Sequence, residues 1–153
     1  MHSTLKSALL SVTWLLAAGG ALASERGTAD EAVAMVKRAE AYVKANGRDK
    51  ALAEFSNPQG SFKDRDQYVM VYDRAGVCLA HGANAKLIGK NLIELKDADG
   101  KLMLKSFVET AYGPAGKGWV DYKWPNPLSK AIEQKSTYVE KYDDMIIGVG
   151  IYK

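Results

Sequence analysis

Residues 135–152 read KSTYVEKYDDMIIGVGIY, two strand-like runs meeting at Asp143-Asp144. Lys135 to Tyr142 is rich in β-branched and aromatic residues, and Asp143-Asp144 supplies a two-residue hairpin turn. Met145 to Tyr152 is almost continuously apolar, the pattern of a strand covered on both faces and therefore central in its sheet. Gly148 and Gly150 share one face of that strand, which is expected to let a helix approach closely. Ile147, Val149 and Ile151 then face the other side. One hairpin of this kind already implies an antiparallel sheet with a two-sided core.

Upstream, Trp119 to Trp124 forms a third strand, entered through Gly113, Pro114, Gly116 and Gly118. An amphipathic helix is expected over Lys101 to Tyr112, with Leu102, Leu104, Phe107, Val108 and Ala111 as its apolar positions. Gln67 to Tyr72 (QYVMVY), the turn Asp73-Arg74-Ala75-Gly76 and Val77 to His81 (VCLAH) read as another hairpin. Before Gly60 the period becomes helical. Ala32, Met35, Val36, Ala39, Tyr42 and Val43 recur at three- and four-residue steps within Thr28 to Ala45, and a shorter helix covers Asp49 to Phe55. Thr28 and Glu31 form a capping box, and Asn46-Gly47 ends the first helix. The fold class is thus α+β: a long N-terminal helix on a five-stranded antiparallel sheet with one helical crossover.

Composition narrows the function. The 153 residues are 47% hydrophobic and 25% charged, with a net charge of +3, so the chain fits one globular domain and lacks the charge footprint of a nucleic-acid binder. Cys78 is the single cysteine, which excludes an internal disulfide, and two histidines leave no set for structural zinc. No cofactor or metal is expected. Residues 1–23 read as a secretory signal: Lys6 in a short n-region, an apolar run from Ala8 to Ala18, and Ala21-Leu22-Ala23 as the cleavage site. An uncleaved membrane anchor is the other reading of the same stretch. The mature domain then covers 24–153, in a periplasmic or secreted location.

The ordered stretches Gln67–His81, Leu87-Ile88-Gly89-Lys90-Asn91-Leu92, Lys96-Asp97-Ala98-Asp99-Gly100-Lys101, Gly118 to Pro125, Lys135 to Val139 and Gly148 to Tyr152 resemble the single Cache family of extracytoplasmic sensor domains. The resemblance runs from about Asp30 to the C-terminus. It implies a PAS-like sheet and a pocket for a small ligand, often a short carboxylate such as acetate, propionate, pyruvate or lactate. It also implies a membrane receptor or sensor kinase as partner. With Lys153 directly after the last strand, the chain reads as a stand-alone domain that signals through another protein. The second functional reading is an interaction module without a ligand, in which the long helix pairs with its own copy or with a receptor.

A carboxylate pocket needs donors at the acid end and aromatic or apolar walls elsewhere. His81, at a strand end, and Lys135, at a strand start, are the donors. Tyr122 and Trp124 share a face with Val120 and make natural walls. Tyr72 lies on one face with Tyr68 and Met70, and Asn91 lies in the loop after Gly89. Tyr138 completes the set, although its strand parity is opposite to that of Lys135. Simple alternation places Cys78 and His81 on opposite faces, against a nucleophilic pair. Asp97-x-Asp99-Gly100 has the wrong register for a calcium loop and reads as a turn. Catalytic fingerprints are missing, so no enzyme is expected.

Overall fold

The computed structural model describes residues 25–153. The first helix, α1 (Ala29–Asn46), starts at the capping box: Thr28 Oγ1 accepts from the Glu31 amide at 3.3 Å, and Glu31 Oε2 accepts from the Thr28 amide at 2.8 Å. Such a cap is worth about 1 kcal/mol. Gly47, at φ 85°, ends α1 and opens α2 (Arg48–Phe55). There follow β1 (Lys63–Asp64), β2 (Gln67–Asp73), β3 (Cys78–His81), a 3-10 turn at Ala85–Leu87, α3 (Met103–Ala111), β4 (Lys117–Pro125), β5 (Ile132–Tyr142) and β6 (Met145–Tyr152).

The sheet is antiparallel, with β1-β2-β6-β5-β4 in order and β3 also paired to β2. The final strand is central, as its apolar run requires. The two-residue β1 makes a sixth strand, too short to leave a periodic signal. Residues 1–23, read as a secretory signal, lie outside the described residues.

Strand parity divides the core in two. Val69, Val71, Ile147 and Val149 face α1, whose Ala32, Met35, Val36, Ala39 and Val43 are buried against them. Burying each of these Val or Ile side chains contributes roughly 1.5–3 kcal/mol. A ring cluster of Tyr42, Phe55 and Phe62 seals the end where α1 meets α2. On the other face, Tyr68, Met70, Tyr72, Val120, Tyr122, Val139 and Ile146 lie beneath Met103, Leu104, Phe107 and Ala111 of α3. This second face carries the polar groups Lys135, Thr137 and His81 as well.

Gly148 and Gly150 differ from the expectation: they lie on this second face, away from α1. A Cβ at Gly150 would run into Lys135 Cε and Thr137 Oγ1, whereas one at Gly148 would meet the Thr137 methyl at 3.1 Å and a Val139 methyl at 3.3 Å. The missing side chain at Gly150 makes room for the Lys135 stem. Gly150→Ala is therefore expected to destabilise the domain by about 1–3 kcal/mol through overpacking. Gly148→Ala should cost less; urea unfolding of both variants measures the difference.

Candidate functional site

β5 begins at Ile132, three residues earlier than the sequence pattern indicates, so Lys135 lies inside the strand and not at its start. It pairs with Tyr122 on one side and Tyr152 on the other. The side chain is wholly buried. Its Nζ donates to Tyr68 Oη at 2.7 Å and stands 4.2 Å from the centre of the Tyr68 ring, 4.9 Å from that of Tyr152 and 6.0 Å from that of Tyr122. Three tyrosine faces thus surround the amine. They attract a cation but do not neutralise it, and burial holds the ammonium well below the ordinary lysine pKa, with the Asp66 charge acting weakly the other way.

The Tyr68 hydroxyl links this amine to a cavity of about 220 Å³. Tyr68, His81, Asn84, Trp124, Asn126 and Lys130 are among its walls. Tyr152 Oη donates to the Pro125 carbonyl at 2.8 Å, tying the 125–131 loop over the opening. Because Tyr152 gives its single O–H to Pro125, Tyr68 is the donor in their long 3.4 Å contact, while the Tyr68 oxygen accepts from Lys135. Burial raises the Tyr68 pKa well above that of a free phenol, so it stays a donor.

His81 is held with equal definition. Nδ1 accepts from the amides of Ala83 at 3.2 Å and Asn84 at 2.9 Å, so the ring proton must sit on Nε2. Nε2 is buried and has no partner among the described residues. The ring packs on Tyr68 with centroids 4.9 Å apart. Burial, reinforced by the Lys135 charge, lowers the His81 pKa to about 3, leaving a neutral imidazole that offers one N–H.

Of the residues selected from sequence, His81 and Trp124 line this cavity, and Lys135 stands behind Tyr68. Tyr122 is part of the amine's aromatic surround, with its hydroxyl bonded to Thr137 Oγ1 at 2.9 Å. Three others are placed elsewhere. Tyr72 is core, edge-on to Phe107 beneath α3. Asn91 closes a turn, donating to the Ala75 carbonyl and accepting from the Ile93 amide. Tyr138 sits on the α1 face and donates to Glu140 Oε2 at 2.9 Å, because its Cα partner across β6 is Val149 and not a residue of the Lys135 row. Tyr68 and Asn126, not selected from sequence, also line the cavity, and Tyr152, likewise not selected, bonds its loop. Parity with Tyr72 already put Tyr68 on the right face, and only the closure of the 125–131 loop distinguishes the two.

Cys78 is also corrected. A register shift between Val71 and Tyr72 makes Leu79 an extra residue, so Cys78 and His81 share a face after all. The buried thiol is nevertheless pushed up to about 12 and directs its Sγ–H to the Ala80 carbonyl at 3.5 Å, an arrangement without a nucleophile. Asp97 closes its turn as expected, accepting from the amides of Asp99, Lys101 and Lys123.

A family model described as Single Cache domain 2 matches residues 24–153. The chain belongs to the single Cache domain family. Domains of this family are extracytoplasmic ligand-binding sensors, and no helix among the described residues is long and apolar enough to cross a membrane. Among curated proteins, the Cache chain is 32% identical over 90 residues to the sensor histidine kinase MctS of Rhizobium johnstonii, covering 58% of this chain and 19% of that protein. It is 31% identical over 91 residues to the methyl-accepting chemotaxis protein McpP of Pseudomonas putida, covering 58% of this chain and 16% of that one. The chain thus spans less than a fifth of the length of these relatives. A chemotaxis protein structure from Vibrio parahaemolyticus superposes with a TM-score of 0.68 at 27% identity, covering 80% of this chain and 86% of that one. A Cache chemosensory domain whose structure describes carboxylic acid recognition superposes at 0.63 with 25% identity, over 80% and 86% of the two chains.

The His81 environment generates a pH prediction. Its folded pKa lies below the unfolded value of about 6.5, so the stabilisation is complete above pH 6.5 and is lost as pH falls toward 3. His81→Phe, which keeps the ring, is expected to flatten that part of the acid-unfolding profile. Circular dichroism melts between pH 7 and 4 provide the measurement.

Proposed function

We propose that this domain binds a short monocarboxylate in the cavity above Tyr68, as the sensory part of a signalling system. The observation that carries the reading is a pair of incomplete interactions at one place. Among the described residues the His81 Nε2–H has no acceptor, and the nearby Lys135 amine is packed against hydroxyl and ring faces with no carboxylate among its bonded partners. A ligand carboxylate would accept from His81 Nε2–H and from the Tyr68 O–H, turned to it from its long 3.4 Å contact with Tyr152. Its charge would offset that of Lys135, which stands one hydroxyl away. Trp124 and the Pro125 to Pro127 loop supply the apolar side. The volume is below the roughly 300–1,000 Å³ of pockets for larger ligands, which favours a molecule of a few heavy atoms. The likeness to a carboxylate-recognising Cache domain supports the same ligand class.

The output of binding belongs with a membrane receptor or sensor kinase, since the relatives over this region are a chemotaxis receptor and a histidine kinase. A periplasmic setting, with residues 1–23 as the export signal, is consistent with that role. The alternative of a ligand-free module pairing through α1 has less support. The outward positions of that helix include Asp30, Ala34, Lys37, Arg38, Ala41, Lys44 and Ala45, and the exposed large apolar residues, Ile88, Trp119, Leu128 and Ile132, all lie elsewhere.

Calorimetry with acetate, propionate, pyruvate and lactate tests the reading; no heat or thermal shift from any of them at millimolar concentration would refute it. A ligand at a hundredfold excess over Kd should stabilise the domain by about 2.7 kcal/mol. Losing one charge-assisted hydrogen bond weakens binding by about 10- to 100-fold, the effect expected of His81→Phe. Lys135→Met should abolish binding yet raise the unfolding temperature of the free protein, because a buried unpaired amine is replaced by an apolar side chain of similar length. Since the ligand raises a lysine pKa that burial has lowered, binding should take up protons and weaken as pH rises. Titrations in buffers of different ionisation enthalpy count those protons.

A further inference from the structure

A second cavity, of about 190 Å³, lies beside the first, with Asn126 in the wall of both. Glu25, Arg26, Asp66, Leu128 and Glu133 also line it. Asn126 separates the two spaces as a satisfied side chain: its Nδ2 donates to Glu133 Oε2 at 2.9 Å and its Oδ1 accepts from the Leu128 amide at 2.8 Å. The carboxylates of the second cavity are differently occupied. Glu133 accepts from Asn126 and from Ser129 Oγ at 2.6 Å, and pairs with Arg26 at 3.3 Å. Asp66 is completely buried; its Oδ1 accepts from the Gly27 amide at 2.7 Å, while its Oδ2 has no hydrogen-bond partner among the described residues. Neighbouring cations are engaged with other groups: Arg65 pairs with Glu31 at 2.8 Å and Asp64 at 2.9 Å, and the Lys135 amine donates to Tyr68. A carboxylate oxygen in this position has given up its hydration and received no donor in return.

The wall restricts what can supply that donor. A divalent metal takes several oxygen or imidazole ligands, and among the described residues no group of three His, Cys, Asp or Glu side chains is placed to hold one. A single open oxygen suits a group that needs one strong charge-assisted hydrogen bond, which is what a primary ammonium makes. Three acidic side chains against one basic in the lining favour a positive charge. Leu128, half exposed, adds an apolar surface to the same wall. We propose that this cavity binds a small aliphatic primary amine as its ammonium ion, which donates to Asp66 Oδ2 and lays its alkyl part against Leu128. The volume admits a molecule of only a few heavy atoms. The site is independent of the carboxylate proposed for the neighbouring cavity, with which it shares Asn126 alone.

The test titrates the full chain with ethylammonium and propylammonium chloride at constant ionic strength, followed by NMR of the side-chain carboxylates and methyl groups. Saturable shifts of the Asp66 carboxyl carbon and the Leu128 methyls are expected in the millimolar range. Tetramethylammonium, which carries the charge without an N–H, and potassium should bind about tenfold more weakly or less. Asp66→Asn, which keeps an oxygen for the Gly27 amide and removes the charge, should weaken propylammonium binding about 10- to 100-fold, the effect of losing one charge-assisted hydrogen bond. No saturable shift at Asp66, an equal response to tetramethylammonium or potassium, or propylammonium binding unchanged in Asp66→Asn overturns the proposal. Should Asp66→Asn not fold, the comparison of propylammonium with tetramethylammonium on the unaltered protein decides. An acetate titration run alongside keeps the two cavities apart: a response to acetate without one to propylammonium refutes the amine site and leaves the carboxylate reading standing.

Discussion

The arrangement depends on one buried amine. Lys135 stands in the middle of the sheet with no carboxylate bonded to it, in surroundings that make an unpaired ammonium expensive. The structure moderates that cost without removing it. Gly150 leaves space for the stem, Tyr68 accepts one hydrogen bond, and three tyrosine rings turn their faces toward the nitrogen. A core built for stability alone would place an apolar side chain there.

Around this amine the two faces of the sheet have different tasks. The α1 face is a close-packed apolar layer that fixes β2 and β6 in register. The other face carries the polar groups, and its loops carry the remaining chemistry: the Ala83 and Asn84 amides choose the His81 tautomer, and the 125–131 loop is fastened through Tyr152. Rigid strands hold the donors while loops close over them, the usual division between scaffold and site. Lys135, Tyr68, Tyr152 and the Pro125 carbonyl form a continuous chain from the buried amine to the loop.

Much of the fold was legible because strand and helix periods are local properties. The capping box at Thr28, the breaks at Gly47 and Gly76, and the apolar run of β6 each declare themselves within a few residues. The site was legible only in part. His81 and Trp124, chosen from residue chemistry and family resemblance, line the cavity and Lys135 stands behind Tyr68, whereas Tyr138 and Tyr72 carry the same chemistry on the α1 face and in the core beneath α3. Cys78 shows the limit of parity: a single extra residue at Leu79 reverses the face expected for everything before it. Gly148 and Gly150 show a related limit, since alternation tells which glycines share a face but not which neighbour uses the space.

By itself the sequence determined the class of fold, the order of elements, the central place of the last strand and the supply of donors and aromatic walls. These follow from periodicity and side-chain chemistry, which act over short stretches of chain. Only the tertiary structure decided that Lys135 is enclosed by tyrosines from three strands, that His81 offers its proton from Nε2, and that Tyr68 rather than Tyr72 faces the cavity. Each of those depends on groups far apart in sequence meeting at one point, and the free energies involved, desolvation above all, have no value until the surroundings of the group are known.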